Sequence, residues 1–190
     1  MPLGLIKIKK SKWYKKSGLT WLPEGELQAD ALWDLRTLDN TLSVWRVDDE
    51  QANLNQIIAA LAANPCSIKS SQEKQKTSLE AFDYALFDIN LLSELSIQFD
   101  STQGDTVDDA ANTAWHIDLK ELTASKLLAL ASGIREKGII KRINQWDVES
   151  LVVKSVRHGR VKLEHLNLGL AAKLTPLIAS SSDPEITIDS

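Results

Sequence analysis

Three histidines (His116, His158 and His165) and one cysteine (Cys66) are where nucleophilic, acid–base or metal chemistry would have to begin in this chain. His158 and His165 stand seven residues apart around a glycine, a spacing that a hairpin would put on opposite strands. No cysteine or carboxylate cluster at metal-ligand spacing completes a site with them. His116 and Asp118 alternate with Trp115 and Ile117, so on a strand both leave the core on the same side. A hydrolytic role for that pair would need a nucleophile that the sequence does not advertise. A catalytic thiolate needs a histidine or a positive field, and nothing local to Cys66 supplies one. The eight glycines are scattered, forming neither G-x-G-x-x-G nor G-x-x-x-x-G-K-[ST], so no phosphate cradle is expected. Adjacent carboxylates such as Asp48-Asp49 and Asp108-Asp109 would point to opposite sides of a strand and make poor acid–base pairs. The expectation is a chain without a catalytic residue, metal or cofactor.

Tryptophan and segregated charge are what the chain does offer. Trp33, Trp45 and Trp115 read as inward strand residues. Trp13 and Trp21 flank a lysine-rich, glycine-broken segment with little core to join, and are expected at an exposed contact surface. The net charge of −4 hides a purely basic first eighteen residues and a second basic stretch from Arg135 to Lys162. Between them, Glu24 to Glu50 and Asp83 to Glu121 are strongly acidic. Two functions fit. One is a non-catalytic protein-interaction module: a subunit, adaptor or inhibitor of a larger assembly. The other is a single-stranded nucleic-acid-binding module. Its basic arm would be Lys9, Lys10, Lys12, Trp13, Tyr14, Lys15, Lys16 and Trp21, and a hairpin tip of Arg157, His158 and Arg160 would track phosphates with stacking support. Against the second stand the acidic overall balance and the lack of an RNA-recognition signature.

The elements that would position these residues are organised around a device written twice. Trp45-Arg46-Val47-Asp48 and Trp115-His116-Ile117-Asp118 stand seventy residues apart. Each reads as a half-buried strand ending in an aspartate cap, with Gln51 or Glu121 three residues on as the reciprocal member of a capping box. Each then leads to an aliphatic stripe, Leu54, Ile57, Ile58 and Leu61 in the first copy. Leu3 to Tyr14 reads as a lysine-protected edge strand, and Leu27 to Leu35 as the first strand of a hairpin with Leu42 to Val47. Phe82 to Phe87, Leu95 to Phe99 and Ile139 to Ile143 read as further strands. Asp100 to Asn112 reads as a mobile insertion with almost nothing to bury, and Gly138 as a left-handed helix cap. Leu151 to Val156 with Val161 to Leu163 reads as a second hairpin around Arg157-His158-Gly159-Arg160, followed by a closing helix over Leu166 to Ile178.

The predicted fold class is α+β. A mixed or antiparallel sheet carries two main helices on one face, split β-α-β-like with two pseudo-equivalent halves, and extra hairpins stand at both ends. The length fits a single domain over residues 1–179, with 180–190 as a disordered tail. A lone cysteine allows no intrachain disulfide. Without an apolar signal region or an 18-residue apolar run, the chain is expected to be cytoplasmic and off the membrane. A protein partner is expected, nucleic acid is the alternative, and the oligomeric state is left open.

Overall fold

A computed structural model describes residues 2–14, 22–23, 26–64 and 78–180. Lys15, Lys16, Trp21, Cys66 and the tail from 181 lie outside the described residues. In chain order the elements are β1 (Leu3–Ile8), α1 (Lys10–Trp13), a 3-10 helix (Ala29–Leu35), β2 (Leu42–Val47), α2 (Leu54–Ala63), β3 (Phe82–Asp88), α3 (Asn90–Glu94) and β4 (Gln98–Ser101). They continue as α4 (Asp109–Ala114), β5 (His116–Lys120), α5 (Ala124–Lys137), β6 (Ile139–Ile143), α6 (Gln145–Arg157), a 3-10 turn (Leu163–His165) and α7 (Leu168–Ala179). These form two compact units: Met1–Asn53 with Asp83–Gly104 and Thr113–Arg142, and Leu54–Phe82 with Asp105–Asn112 and Ile143–Ser190.

The first unit is built on an antiparallel sheet of order β4-β5-β2-β1-β3-β6, and the α+β class is as expected. β1 is not an edge strand: Leu5 pairs with Trp45 of β2 on one side and Leu86 of β3 on the other. Lys7 alone among the lysines falls within it, so the basic run belongs mostly to the segment after the strand. On one face Ile6, Ile8, Leu42, Val44, Ala85, Phe87, Ile117 and Leu119 form the core. Leu130, Ala131 and Ile134 of α5 complete it, as do Leu91 and Leu92 of α3 and Ala31 and Leu35 of the 3-10 helix. The register stacks like on like, with Val44 opposite Ile117 and Leu42 opposite Leu119. Gly4 is required because the Phe87 ring lies 2.5 Å from where its Cβ would stand.

Four local expectations are corrected. Leu27 to Leu35 is no strand: its apolar residues wind into a 3-10 helix that buries Ala31 and Leu35 and leaves Trp33 71% exposed. Asp118 is not a cap but lies inside β5, and α5 is capped by Thr123, whose side chain accepts the Lys126 N–H. Asp48 does cap, accepting the N–H groups of Ala52 (2.7 Å) and Asn53 (3.2 Å), yet the residue reaching back to its own N–H is Asn53 rather than Gln51. Gln51 and Glu121 instead share a left-handed backbone, with φ of 56° and 52°, so the two copies agree in a turn and not in a capping box. Gly138 follows α5 at φ −83°; what demands glycine is the approach of the Ile134 and Leu86 carbonyl oxygens, 2.5 and 2.8 Å from a would-be Cβ.

In the second unit, α2 packs on α6 and α6 on α7. The expected C-terminal hairpin is the helix α6. Val148, Leu151, Val152 and Ser155 are buried at helical spacing, and Asn144 caps the start by accepting the Asp147 N–H at 2.9 Å. The glycine expected at a hairpin tip ends this helix instead. Gly159 (φ 69°) donates to the Val156 carbonyl at 2.9 Å and Arg160 to Ser155 at 3.0 Å, the two bonds of a Schellman motif. The acidic insertion is ordered in part: Val107, Asp108, Ala111 and Asn112 are buried, and Asn112 exchanges bonds with both the backbone and the hydroxyl of Thr106.

Candidate interaction surfaces

The N-terminal basic segment is tied down by a residue not singled out in the sequence. Asp34, on the 3-10 helix, accepts the Lys9 backbone N–H at 2.7 Å, the Lys12 ammonium at 3.0 Å and the Trp13 indole N–H at 2.9 Å. Trp13 is 1% exposed and belongs to the core, so its expected place on a contact surface is corrected. Its N–H has a buried partner, which is what allows an indole to sit there. Lys10 gives its backbone N–H to Asp83 at 2.8 Å. Tyr14 is exposed at its edge and lies beneath the Arg135 guanidinium, 4.9 Å from the ring centre, and the Lys10 ammonium, 5.8 Å away. Of the described arm residues, Lys9 and Tyr14 are exposed, Lys10 and Lys12 are half-buried and Trp13 is buried.

On the opposite face of the sheet, Thr102, His116, Asp118 and Ser43 form one hydrogen-bonded group. The Thr102 hydroxyl donates to Asp118 Oδ2 at 2.8 Å, and the hydroxyl oxygen lies 2.9 Å from His116 Nδ1. A hydroxyl has one proton and a carboxylate can only accept, so His116 must carry its proton on Nδ1 and donate it to Thr102. The Ser43 hydroxyl donates to Asp118 Oδ1 at 3.2 Å, and that oxygen lies 3.8 Å from His116 Nε2. Both hydroxyl protons go to the carboxylate, so no nucleophile is hydrogen-bonded to the imidazole as a donor. The group joins β2, β5 and the exit of β4, with Trp45 edge-on to the His116 ring at 5.0 Å. Beside it Lys120 pairs with Asp100; the hydrogen bond and charge of Asp100 hold the ammonium above its ordinary pKa. Among the described residues no three His, Cys, Asp or Glu side chains lie together as a metal site requires.

In the second unit, Arg157, His158 and Arg160 sit at the end of α6. The Arg157 guanidinium bonds the carbonyls of Ile178 (3.2 Å), Leu177 (2.8 Å) and Ser180, and so satisfies the C-terminal end of α7. Glu149 of α6 also pairs with Lys173 of α7 at 2.8 Å. Trp146 in the first turn of α6 and Leu168 at the start of α7 are 73% and 78% exposed. Sequence reasoning missed both; a tryptophan two residues after the capping Asn144 was the available signal.

No helix among the described residues is long and apolar enough to cross a membrane. Comparison with protein-family models, curated proteins and solved structures finds no match.

Proposed function

We propose that the chain is a protein-interaction module, and that the exposed apolar side chains in the first turns of α6 and α7 belong to its contact surface. The supporting observation is the exposure of Trp146 and Leu168. A tryptophan and a leucine left in water forgo the stabilisation that burial would give, and tryptophan is the residue type most enriched among the energetic centres of interfaces.

The test is an affinity capture from native lysate beside light scattering on the purified chain, with Trp146→Ser and Leu168→Ser as the comparison. A specific partner, or a self-associated species, held by the natural chain and lost in the double variant supports the reading. A strict monomer that captures nothing, or a partner retained unchanged by the double variant, overturns it. Both side chains are exposed, so the variants should melt within a degree or two of the parent.

A further inference from the structure

In the first unit a half-buried guanidinium stands beside the N-terminal segment without an anion. Lys12, Lys120, Lys137 and Lys173 each meet a carboxylate within the structure. Arg135, in the last turn of α5, meets none among the described residues; its cationic group rests on the ring of Tyr14, 4.9 Å from the ring centre. Its Nε is sealed from solvent and has no hydrogen-bond acceptor. A ring face attracts a cation but does not satisfy the N–H groups that lie in the guanidinium plane, so the fork is left able to take up an oxyanion. The Lys10 ammonium, 5.8 Å from the same ring centre, also lacks a carboxylate among the described residues. Asp83 reaches Lys10 only through its backbone N–H, at 2.8 Å, and turns its other oxygen to Arg142 Nε at 3.6 Å. Two positive charges therefore meet at Tyr14 with no carboxylate to balance them, and a charge drawn out of water without a counter-charge is costly.

We propose that Arg135 and Lys10, gathered on the Tyr14 ring, form a binding site for one phosphate group, free or carried by a nucleotide. Two unbalanced cations match the near-double charge of a phosphate better than the single charge of a carboxylate. Arg135 supplies planar paired donors that suit phosphate oxygens and is steadied by α5 and the Tyr14 ring; Lys10 adds a point charge on a flexible stem that can swing onto the bound group. Tyr14 is 38% exposed, so the site opens to solvent. A nucleic-acid strand would need a run of charges and free stacking faces. Here the cations sit about one ring, that ring is already occupied by them, and Trp13 beside it is buried, which favours a single phosphate group.

The experiment follows the ring resonances of Tyr14 in the full chain as inorganic phosphate, adenosine 5′-monophosphate, adenosine, acetate or a single-stranded oligonucleotide is added. Phosphate and the monophosphate should shift them saturably, acetate more weakly and adenosine not at all; a monophosphate that binds more tightly than phosphate assigns the site to a nucleotide, and equal binding assigns it to the free anion. Arg135→Gln should weaken phosphate binding about tenfold or more, the effect of losing a charged hydrogen bond, and Lys10→Gln by a smaller factor. Arg135→Lys keeps the charge without the fork and should fall between the natural chain and Arg135→Gln. Lys137→Gln, two residues along α5 and paired with Glu94, should change nothing. Thermal melts check that the variants fold, and Arg135→Lys with Lys10→Gln carries the comparison if Arg135→Gln does not. No shift up to about 10 mM phosphate would overturn the proposal, as would binding that Arg135→Gln or Arg135→Lys leaves unchanged, or a response to the oligonucleotide alone. The site shares no residue with the Trp146 and Leu168 surface, so either result leaves the test of that surface unaffected.

Discussion

The side-chain amide of Gln56 donates to the carboxylate of Asp108 at 2.7 Å, and Asp108 is completely removed from solvent. The other carboxylate oxygen accepts the Ala111 N–H at 3.0 Å and starts α4. A buried carboxylate held by two donors keeps its place, whereas either donor left without it would be buried and unpaired. Asp108→Ala should therefore destabilise the chain by about 3 kcal/mol, and Asp108→Asn by about half as much. Urea unfolding measures both. In a double-mutant cycle with Gln56→Ala the two losses should fall short of additivity; fully additive losses would mean the bond contributes nothing.

Asp34 is the second such anchor. Replacing it with alanine removes three acceptor contacts at once and strands the Trp13 indole N–H in the core. A loss of about 2 to 3 kcal/mol is expected, with Asp34→Asn retaining part of it. Lys12→Ala, which removes an ion pair that is partly in water, should cost less than about 1 kcal/mol. Equal losses for Asp34→Ala and Lys12→Ala would show that the indole bond does not matter.

The bonds around Thr102 fix a tautomer that can be measured. Nitrogen chemical shifts and long-range proton couplings of the imidazole should report His116 protonated on Nδ1 when neutral. Thr102→Val keeps the shape and breaks both bonds, and should cost about 1 to 2 kcal/mol. In that variant Nδ1 loses its acceptor, and the tautomer preference should weaken. A His116 that is Nε2-protonated in the natural chain would contradict the hydrogen-bond assignment.

Burial pushes the phenol of Tyr84 above its ordinary value of 10.0. The folded chain then holds the Tyr84 proton more tightly than the unfolded chain. Its contribution is complete below pH 10, and stability falls as pH rises beyond that toward the folded-state value, by up to about 1.4 kcal/mol per pH unit. Lys120, raised by Asp100, acts with the same sign at the surface. Tyr84→Phe should flatten the decline between pH 10 and 11 in urea midpoints, while Lys120→Gln should change it little. An unaltered slope in the phenylalanine variant would assign the decline elsewhere.

The elements legible in the sequence are those whose local pattern agrees with their surroundings. β2, β3 and β6 stand nearly to the residue where the pattern puts them, as do the end of α5 at Lys137 and the existence of α7. α6 reads wrongly because Leu151-Val152-Val153 favours a strand locally, while the cap Asn144 and the apolar spacing Val148, Leu151, Val152 and Ser155 argue for a helix. Tertiary packing on α2 decides between them. Ala29, Ala31, Trp33 and Leu35 alternate as a strand would, and only the position of Asp34, which must reach the start of α1, shows why they wind instead. The Thr102–His116–Asp118–Ser43 group joins residues from three separate stretches, and strand order is a non-local property that no window along the chain contains.

The placement of β1 between β2 and β3 makes the first eight residues a keystone. Its partners come about 40 and 80 residues later in the chain, so the middle of the sheet closes only after long loops have been brought together, a high-contact-order assembly. Deleting residues 3–8 would not trim a margin. It would split the sheet into a β4-β5-β2 piece and a β3-β6 piece, each with a raw flank of unmatched amides open to pairing with other molecules.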